Sequence, residues 1–453
     1  MHQFVAWLRR GCFVEGGIVG VLDDVFVVEL AIAIAAPSCA RALAFHGADV
    51  VKIESRNNPD VMRLFGSVWA RELDPALYMD TSPYLGEMCA NKRSVGLDLK
   101  QPDGLAAALA LLKSADVFIT NYSTPAVRAL GLGYDDIAAV NPSIVYVAMP
   151  GFGSDPAQPY YEYLAWGPNQ APIVGLDALT GYPDQEPAGI ATIAPPDYFA
   201  GLHALTAVLT GLEHHERTGE GSFVDIAQFE TSVSCLGPFL FDNALTGRCE
   251  NRSGNRLSWL APQGCYPCIG DDAWVAITVV DDEGWTALAA VIGGPANDAR
   301  FGPLAGRLAH HDELDELIGA WTSARTAAGV AATLQNAGVA AYEVLDNVGV
   351  LHDPQVRDRH WFQRVASMRF ADGDVFGSHP IQLPETPGSW WRAGPSMAED
   401  TVEVLTKRAG LAPNEIDALI VSGTAFTTTQ PEQRLSRPYI DYADALGIHR
   451  TAP

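Results

Sequence analysis

The sequence predicts an α/β protein built on a doubly wound, Rossmann-like parallel sheet. Three observations lead there. Strand-like and helix-like segments alternate from Val25 onward. The strand-like runs are continuously apolar, as in strands buried on both faces, not alternating as in half-exposed ones. Strand–helix–strand units at this spacing imply right-handed crossovers, which put helices on both sheet faces.

The first strand is FVVEL, a short β-branched run. A small-residue loop, IAIAAPSCARALAFHG, leads into a helix that ends at Gly47. ADVVKIES is a second buried strand. Gly104–Ser114 has the apolar spacing of a helix, DVFIT reads as a strand, Ala126–Leu132 as a helix closed by glycine, and SIVYVAM as another strand. Open α/β sheets bind ligands beyond the carboxyl ends of their strands. Chemistry is therefore expected in the loops Glu54–Arg56, Asn121–Pro125 and Pro150–Gly153.

A long helix, Asp197–Glu216, carries Leu202, Leu205, Val208, Leu209 and Leu212 at helical spacing, and RTGEGSF turns it into the strand FVDIAQ. Near Gly247 the chain becomes polar and loop-like in GRCENRSGNR. A mixed segment follows, with the strand WVAITVV and helices over Gly284–Ile292, His311–Ala327 and Gly329–Ala337. VAAYEVL and the segment to Gly423 read as a return to the main body. The expected organisation is an N-terminal extension over 1–24, a large domain from 25–247 with 346–423, a small α+β domain over 248–345, and a tail over 424–453.

Composition limits the function. With 29 Lys and Arg against 54 Asp and Glu, the net charge of −25 repels phosphate-rich polymers and anionic membrane surfaces, so no nucleic-acid or membrane partner is expected. The longest apolar run, Val25–Ala36, contains Glu29 and falls short of the roughly 18 residues of a membrane span. MHQFVAWLRRGCFV lacks the arrangement of a secretory signal, and seven cysteines, an odd number, suit a reducing compartment; both favour a cytoplasmic protein. Cys265 and Cys268 form a CxxC in a turn between strands, but no second pair completes a zinc set, so no metal is expected. A GxGxxG after a strand, a P-loop and a GxSxG elbow are all missing, which removes the usual handles for hydride, ATP and serine-hydrolase chemistry.

Five ordered motifs resemble the family III CoA-transferases: GADVVKIESRNNPDVMR, NKRSVGLDLKQPDG, NYSTPAVRALGLGYDDIAAVNPSIVYVAMPGFG, DYFAGLHALTAVLTGLEHHERTGEGSFVDIAQFE and LQNAGVAAYEVLDNVGVLHDPQVRDR. They run from about Val25 to about Gly423. The resemblance implies a sheet domain formed by both chain ends, with the smaller domain inserted, and two chains threaded into an interlocked dimer. The partner chain would be an identical copy or a paralogue. Coenzyme A and acyl-CoA would enter as substrates together with a carboxylic acid, with no tightly bound cofactor.

The resemblance also implies site residues. The family's nucleophile is an aspartate four residues before a glycine at the start of the long helix; here that is Asp197, with Gly201. A carboxylate attacking a thioester splits one hard exchange into easier steps through covalent intermediates. An aspartate at a helix start is also a common cap, and Asp197 can do both. Glu162, in PYYEYLAWG, is the second candidate carboxylate, to orient the acid or assist proton transfer; otherwise it is a solvated loop residue. Leu97, Lys100, Asn121 and Tyr122 fall where the family contacts CoA. Arg56 and Arg128 each stand one place away from the family's basic position.

Ile34 replaces a glutamine of the formyl-CoA transferases, and NRLSWLAPQGCYP lacks their glycine-rich loop. With Trp166, Tyr160, Tyr161 and Tyr163, Ile34 suggests a larger, less polar acyl group, unless these aromatics are ordinary core. His214 and His215 read as an exposed helix end, where the helix dipole favours cations. Two other functions remain open at this point: an acyl-CoA racemase or epimerase, which needs two acid/base groups, and a CoA-binding subunit without catalysis.

Overall fold

The computed structural model describes residues 20–65, 79–189, 194–367, 370 and 373–428. Most of the expected N-terminal extension and tail lies outside them. The chain forms two compact units, one from residues 1–174, 191–240 and 354–453 and one from 175–190 and 241–353.

The larger unit is organised by a seven-stranded sheet. Its strands are β1 (Phe26–Leu30), β2 (Asp49–Glu54), β3 (Arg93–Leu97), β4 (Val117–Thr120), β5 (Val145–Ala148) and β6 (Ser222–Asp225), with β12 (Ala425–Phe426) at one edge. The order is β12-β3-β2-β1-β4-β5-β6. All pairings are parallel except that of β12 with β3, where Ala425 lies opposite Leu97. Thus the first residues of the segment expected to be a tail complete the sheet.

The apolar runs show why these segments form buried strands. Val27, Val50, Val117, Ile119, Val145 and Val147 face one way, onto the helices α1 (Ala35–Phe45) and α6 (Pro195–Thr218). Phe26, Val28, Val51, Ile53, Val95, Leu97, Phe118 and Tyr146 face the other, onto α3 (Pro102–Leu112), α4 (Thr124–Ala129), α10 (Thr401–Lys407) and α11 (Pro413–Val421). Two short helices near the strand ends, α2 (Pro83–Met88) and α5 (Gly167–Ile173), complete the elements used below.

Strand order reverses direction at β1, which pairs with β2 on one side and β4 on the other. Leu30 lies opposite Thr120, so the carboxyl ends of β1 and β4 finish level. The chain then leaves toward opposite faces, opening the crevice in which such sheets bind ligands.

The smaller unit has its own core. A three-stranded antiparallel sheet, β7 (Gln263–Pro267), β8 (Trp274–Thr278) and β9 (Ala340–Glu343), packs against α7 (Asp282–Ile292), α8 (His311–Thr322) and α9 (Ala327–Asn336). Cys265 lies within β7, not in a turn; the turn begins with the buried Cys268. A hairpin of β10 (Phe362–Val365) and β11 (Asp374–Gly377) returns to the larger unit. Among the described residues no helix is long and apolar enough to cross a membrane, and no group of His, Cys, Asp and Glu is arranged to hold a metal ion.

Candidate active site

The crevice beyond β1 and β4 is a cavity of about 570 Å³. Its walls are the loop after β1 (Ile32, Ala33, Ile34), the loop after β4 (Asn121, Tyr122, Ser123) and Gly151 after β5. Asn58, Val61, Met62 and Phe65 also line it, as do Tyr163–Pro168. Asp197 sits within it, 7% exposed.

The sequence places Asp197 by a tight packing of two helices. Helix α6 starts with two prolines, which suit a first turn because their missing N–H groups would be unpaired there. Gly201, one turn further on, lies against α1. A Cβ there would sit 2.0 Å from Ser38 Oγ and 2.9 Å from the Ala35 carbonyl. Only a glycine lets α6 come this close, and the approach brings Asp197 to the first turn of α1. Burial pushes the Asp197 carboxyl up to about 6, and the Ala35 N–H that faces it opposes the shift only in part. The carboxylate is thus ionised at neutral pH yet poorly solvated, a reactive condition for a nucleophile.

The loop that carries Ala33 and Ile34 is held from behind by buried charges. Lys52 donates to Glu29 at 2.8 Å and to the Ala31 carbonyl at 2.5 Å, and lies 3.0 Å from Asp60. The other oxygen of Asp60 accepts from the Ala33 N–H at 3.0 Å, fixing Ala33 at φ 60°. Lys92 binds Glu29 at 2.6 Å and the Pro37 carbonyl at 2.9 Å. Arg63 grips Glu54 with two N–H groups, at 2.8 and 2.6 Å, and reaches Asp80. Burial alone would neutralise such groups, but their partners outweigh it: Lys52 is held well above its ordinary value, and Glu29 and Glu54 below theirs. Lys52, Asp60 and Lys92, which hold this loop, and Arg63, which anchors the end of β2, belong to the motifs KIE, PDVMR and NKRS, and nothing local in those motifs signals this support.

Asn121 supports the same loop. Its Nδ2 donates to the Ile32 carbonyl at 2.7 Å and its Oδ1 accepts from the Ile32 N–H at 3.0 Å, so its amide is engaged within the protein. On the far side, Gln228 donates to the Met149 carbonyl at 2.7 Å and accepts from Gln170 at 2.9 Å. Gln228 and Gly167 line the cavity although neither was singled out in the sequence.

The family model for CoA-transferase family III matches residues 22–401. The chain belongs to the family III CoA-transferases. It is 31% identical over 405 residues to succinyl-CoA–D-citramalate CoA-transferase of Chloroflexus aurantiacus, covering 88% of this chain and 96% of that one. It is 29% identical to succinate–glutarate CoA-transferase of Agrobacterium fabrum, covering 85% and 95% respectively. A crystal structure of a CAIB/BAIF family protein from Brucella suis superposes with a TM-score of 0.76 at 26% identity, over 85% of this chain and 98% of that one. Some similar proteins are named as alpha and beta subunits of one enzyme.

In this transferase the residues suggested by the resemblance separate. Asp197, Asn121 and Tyr122 meet at the cavity, together with Ile34 and the aromatic residues Tyr163 and Trp166. The aromatic cluster is not core: Tyr160, Tyr163 and Trp166 are 43%, 61% and 44% exposed, and Tyr160 stacks on Tyr163 with centroids 5.2 Å apart. Tyr161 and the exposed Glu162 do not line the cavity. Arg128 is exposed at a second cavity of about 480 Å³, which also shares Tyr122. Arg56 is exposed and lies over the Phe426 ring, 4.3 Å from its centroid. Leu97 is fully buried opposite Ala425, and Lys100 is exposed in the turn that follows β3. His214 is exposed and His215 half-buried in the last turn of α6, where His215 Nδ1 contacts the Glu220 carbonyl at 3.3 Å.

Proposed function

We propose that Asp197 carries the transferred group, and that the enzyme moves coenzyme A between an acyl-CoA and a free carboxylic acid through covalent aspartyl intermediates. The observation that supports this most is a poorly solvated carboxylate inside a ligand-sized cavity at the sheet's switch point.

An Asp197 oxygen attacks the thioester carbonyl, the C–S bond breaks, and the CoA thiolate leaves with the electron pair. The product is a mixed anhydride. The thiolate then attacks the aspartyl carbonyl, which releases the first acid as a carboxylate and leaves an aspartyl-CoA thioester. The incoming acid reverses these steps: its carboxylate forms a new anhydride and frees the thiolate. The thiolate attacks the new acyl carbonyl, and Asp197 is regenerated. One negative charge is conserved throughout and no proton moves, so the site needs no general base beside the nucleophile. This fits an aspartate that, among the described residues, has the Ala35 N–H facing it, and does not call on the exposed Glu162. The Ala35 N–H, in the first turn of α1, faces the Asp197 carboxyl, whose oxygen takes up negative charge when the thiolate attacks the aspartyl carbonyl.

The pantetheine arm is assigned to the wall formed by Asn121, Tyr122 and Ser123, and its nucleotide end to the exposed Lys100, Arg56 and Arg128; the Leu97 side chain is fully buried and leaves only its backbone for such a contact. A pair of identical or paralogous chains is the expected assembly. The test is CoA exchange between an unlabelled acyl-CoA and an isotopically labelled acid. Asp197→Ala is expected to lose at least about a thousand-fold in rate while retaining the wild-type assembly. Full turnover in that variant would remove Asp197 from the mechanism.

A further inference from the structure

The substrate class can be taken further from the cavity, resting on the transfer reading above. One part of the cavity, assigned here to the acyl group, is built from large apolar side chains that no other described residue fully covers. Phe65, Tyr84, Tyr163, Leu164 and Trp166 line it, and are 56%, 54%, 61%, 68% and 44% exposed. Phe65 and Tyr84 meet edge to face, with centroids 6.2 Å apart. Ile32, Ile34, Val61 and Met62 continue this apolar wall toward Asp197. Aromatic faces and edges arranged this way are suited to another ring or a branched hydrocarbon.

The charges point the same way. Among the described residues that line the cavity, Asp197 is the only one that is charged at neutral pH. The cations behind the Ala33–Ile34 loop are committed: Lys52 to Glu29 and Asp60, Lys92 to Glu29, Arg63 to Glu54 and Asp80. An acyl group with a second carboxylate would thus enter an apolar pocket beside an ionised nucleophile. Among the described residues it would meet no opposing charge, and it would be repelled by Asp197.

We propose that the acyl group this enzyme accepts is that of a monocarboxylic acid bearing a bulky apolar substituent, aryl or branched aliphatic, with no second charge. Ile34, Phe65, Tyr84, Tyr163 and Trp166 set that specificity. The charge rule applies to both half-reactions, because donor and acceptor acids occupy the same place in turn.

The experiment compares two donors of opposite character, 3-phenylpropanoyl-CoA and succinyl-CoA, on the purified full-length enzyme. The release of free CoA in the presence of hydroxylamine reads the first half-reaction without any acceptor acid. The kcat/KM for 3-phenylpropanoyl-CoA is expected to exceed that for succinyl-CoA by about 100-fold. Tyr163→Arg, at an exposed lining position, is expected to raise the rate with succinyl-CoA at least tenfold and to lower it with the aryl donor. Equal rates, a preference for succinyl-CoA, or an unchanged ratio in Tyr163→Arg would overturn the assignment of substrate while leaving CoA transfer standing. If neither donor yields CoA release that depends on Asp197, the transfer reading itself falls, and this proposal with it.

Discussion

Gly167 presses against the carboxylate of Asp197: a Cβ added to Gly167 would lie 2.5 Å from Oδ2 and 2.7 Å from the Ala194 Cβ. The glycine at the start of α5 therefore sets the position of the nucleophile. Gly167→Ala must turn the carboxylate aside or move the strand of chain at Ala194. A misplacement of about 1 Å at a reacting atom costs on the order of 100-fold. Exchange in Gly167→Ala is expected to fall by about that factor, with KM for acyl-CoA changed much less. Unaltered kinetics would mean that the carboxylate has slack at this point.

Activity should depend on pH through Asp197. Only the ionised carboxylate attacks, and burial holds its pKa at about 6. The kcat/KM profile is therefore expected to rise with pH, to bend at about 6, and to be flat above about pH 7. The measurement is initial rate against pH at subsaturating acyl-CoA. A profile flat down to pH 4.5 would show a well-solvated carboxylate instead.

The same burial has a thermodynamic consequence. The folded chain holds the Asp197 proton more tightly than the unfolded chain, so the contribution of Asp197 to folding stability falls as pH rises from about 4 to about 6 and changes no further above that. A rise from 3.8 to about 6, at about 1.4 kcal/mol per pH unit, amounts to about 3 kcal/mol by neutral pH. Asp197→Asn removes the ionisation and keeps an oxygen for the Ala35 N–H. The variant is expected to gain up to about 3 kcal/mol at pH 7 and nothing below pH 4, in denaturant titrations at both pH values.

Helix packing at Gly201 is a separate lever. A methyl group there meets Ser38 Oγ at 2.0 Å and the Ala35 carbonyl at 2.9 Å, so Gly201→Ala forces α6 away from α1. Overpacking of this kind costs about 1–3 kcal/mol. Ser38→Ala removes the closest obstruction, and the double variant is expected to recover part of the loss because the two sites are in contact. Thermal melts of the four proteins in the cycle measure this coupling; strictly additive effects would contradict the close approach.

Much of this fold was legible in the sequence because the strands are buried on both faces. FVVEL, DVFIT and SIVYVAM read as continuous apolar runs for that reason, and each lies in the sheet. Helix ends were less legible. The expected helix His311–Ala327 stops at Thr322, and α9 starts separately at Ala327 because the Thr326 hydroxyl caps the Gly329 N–H at 3.2 Å. A threonine in a helix-like window does not announce that it will cap. The strand Ala425–Phe426 was unreadable for a different reason: two residues carry no periodicity, and only the exposed edge of β3 selects them.

At the site, the position of Asp197 came from its motif, and its surroundings did not. Ile34, Phe65, Tyr84 and Tyr163 lie on four separate segments, and nothing local in any of them signals the others. Glycines 167 and 201 are equally silent, since a glycine in a sequence does not say what approaches it. The motif lysines Lys52 and Lys92 read as ordinary basic residues, yet the fold buries both against Glu29 beneath the loop that faces the nucleophile.

The most direct measurement is the identity of the residue that becomes covalently modified during turnover. Enzyme mixed with acyl-CoA, quenched with hydroxylamine, digested and sequenced by mass spectrometry is expected to carry a hydroxamate on Asp197, formed from its anhydride or thioester. The modification should be absent without acyl-CoA and absent in Asp197→Asn. A hydroxamate on Glu162 or any other carboxylate, or continued CoA exchange with Asp197 unmodified, would contradict the assignment of Asp197 as the carrier.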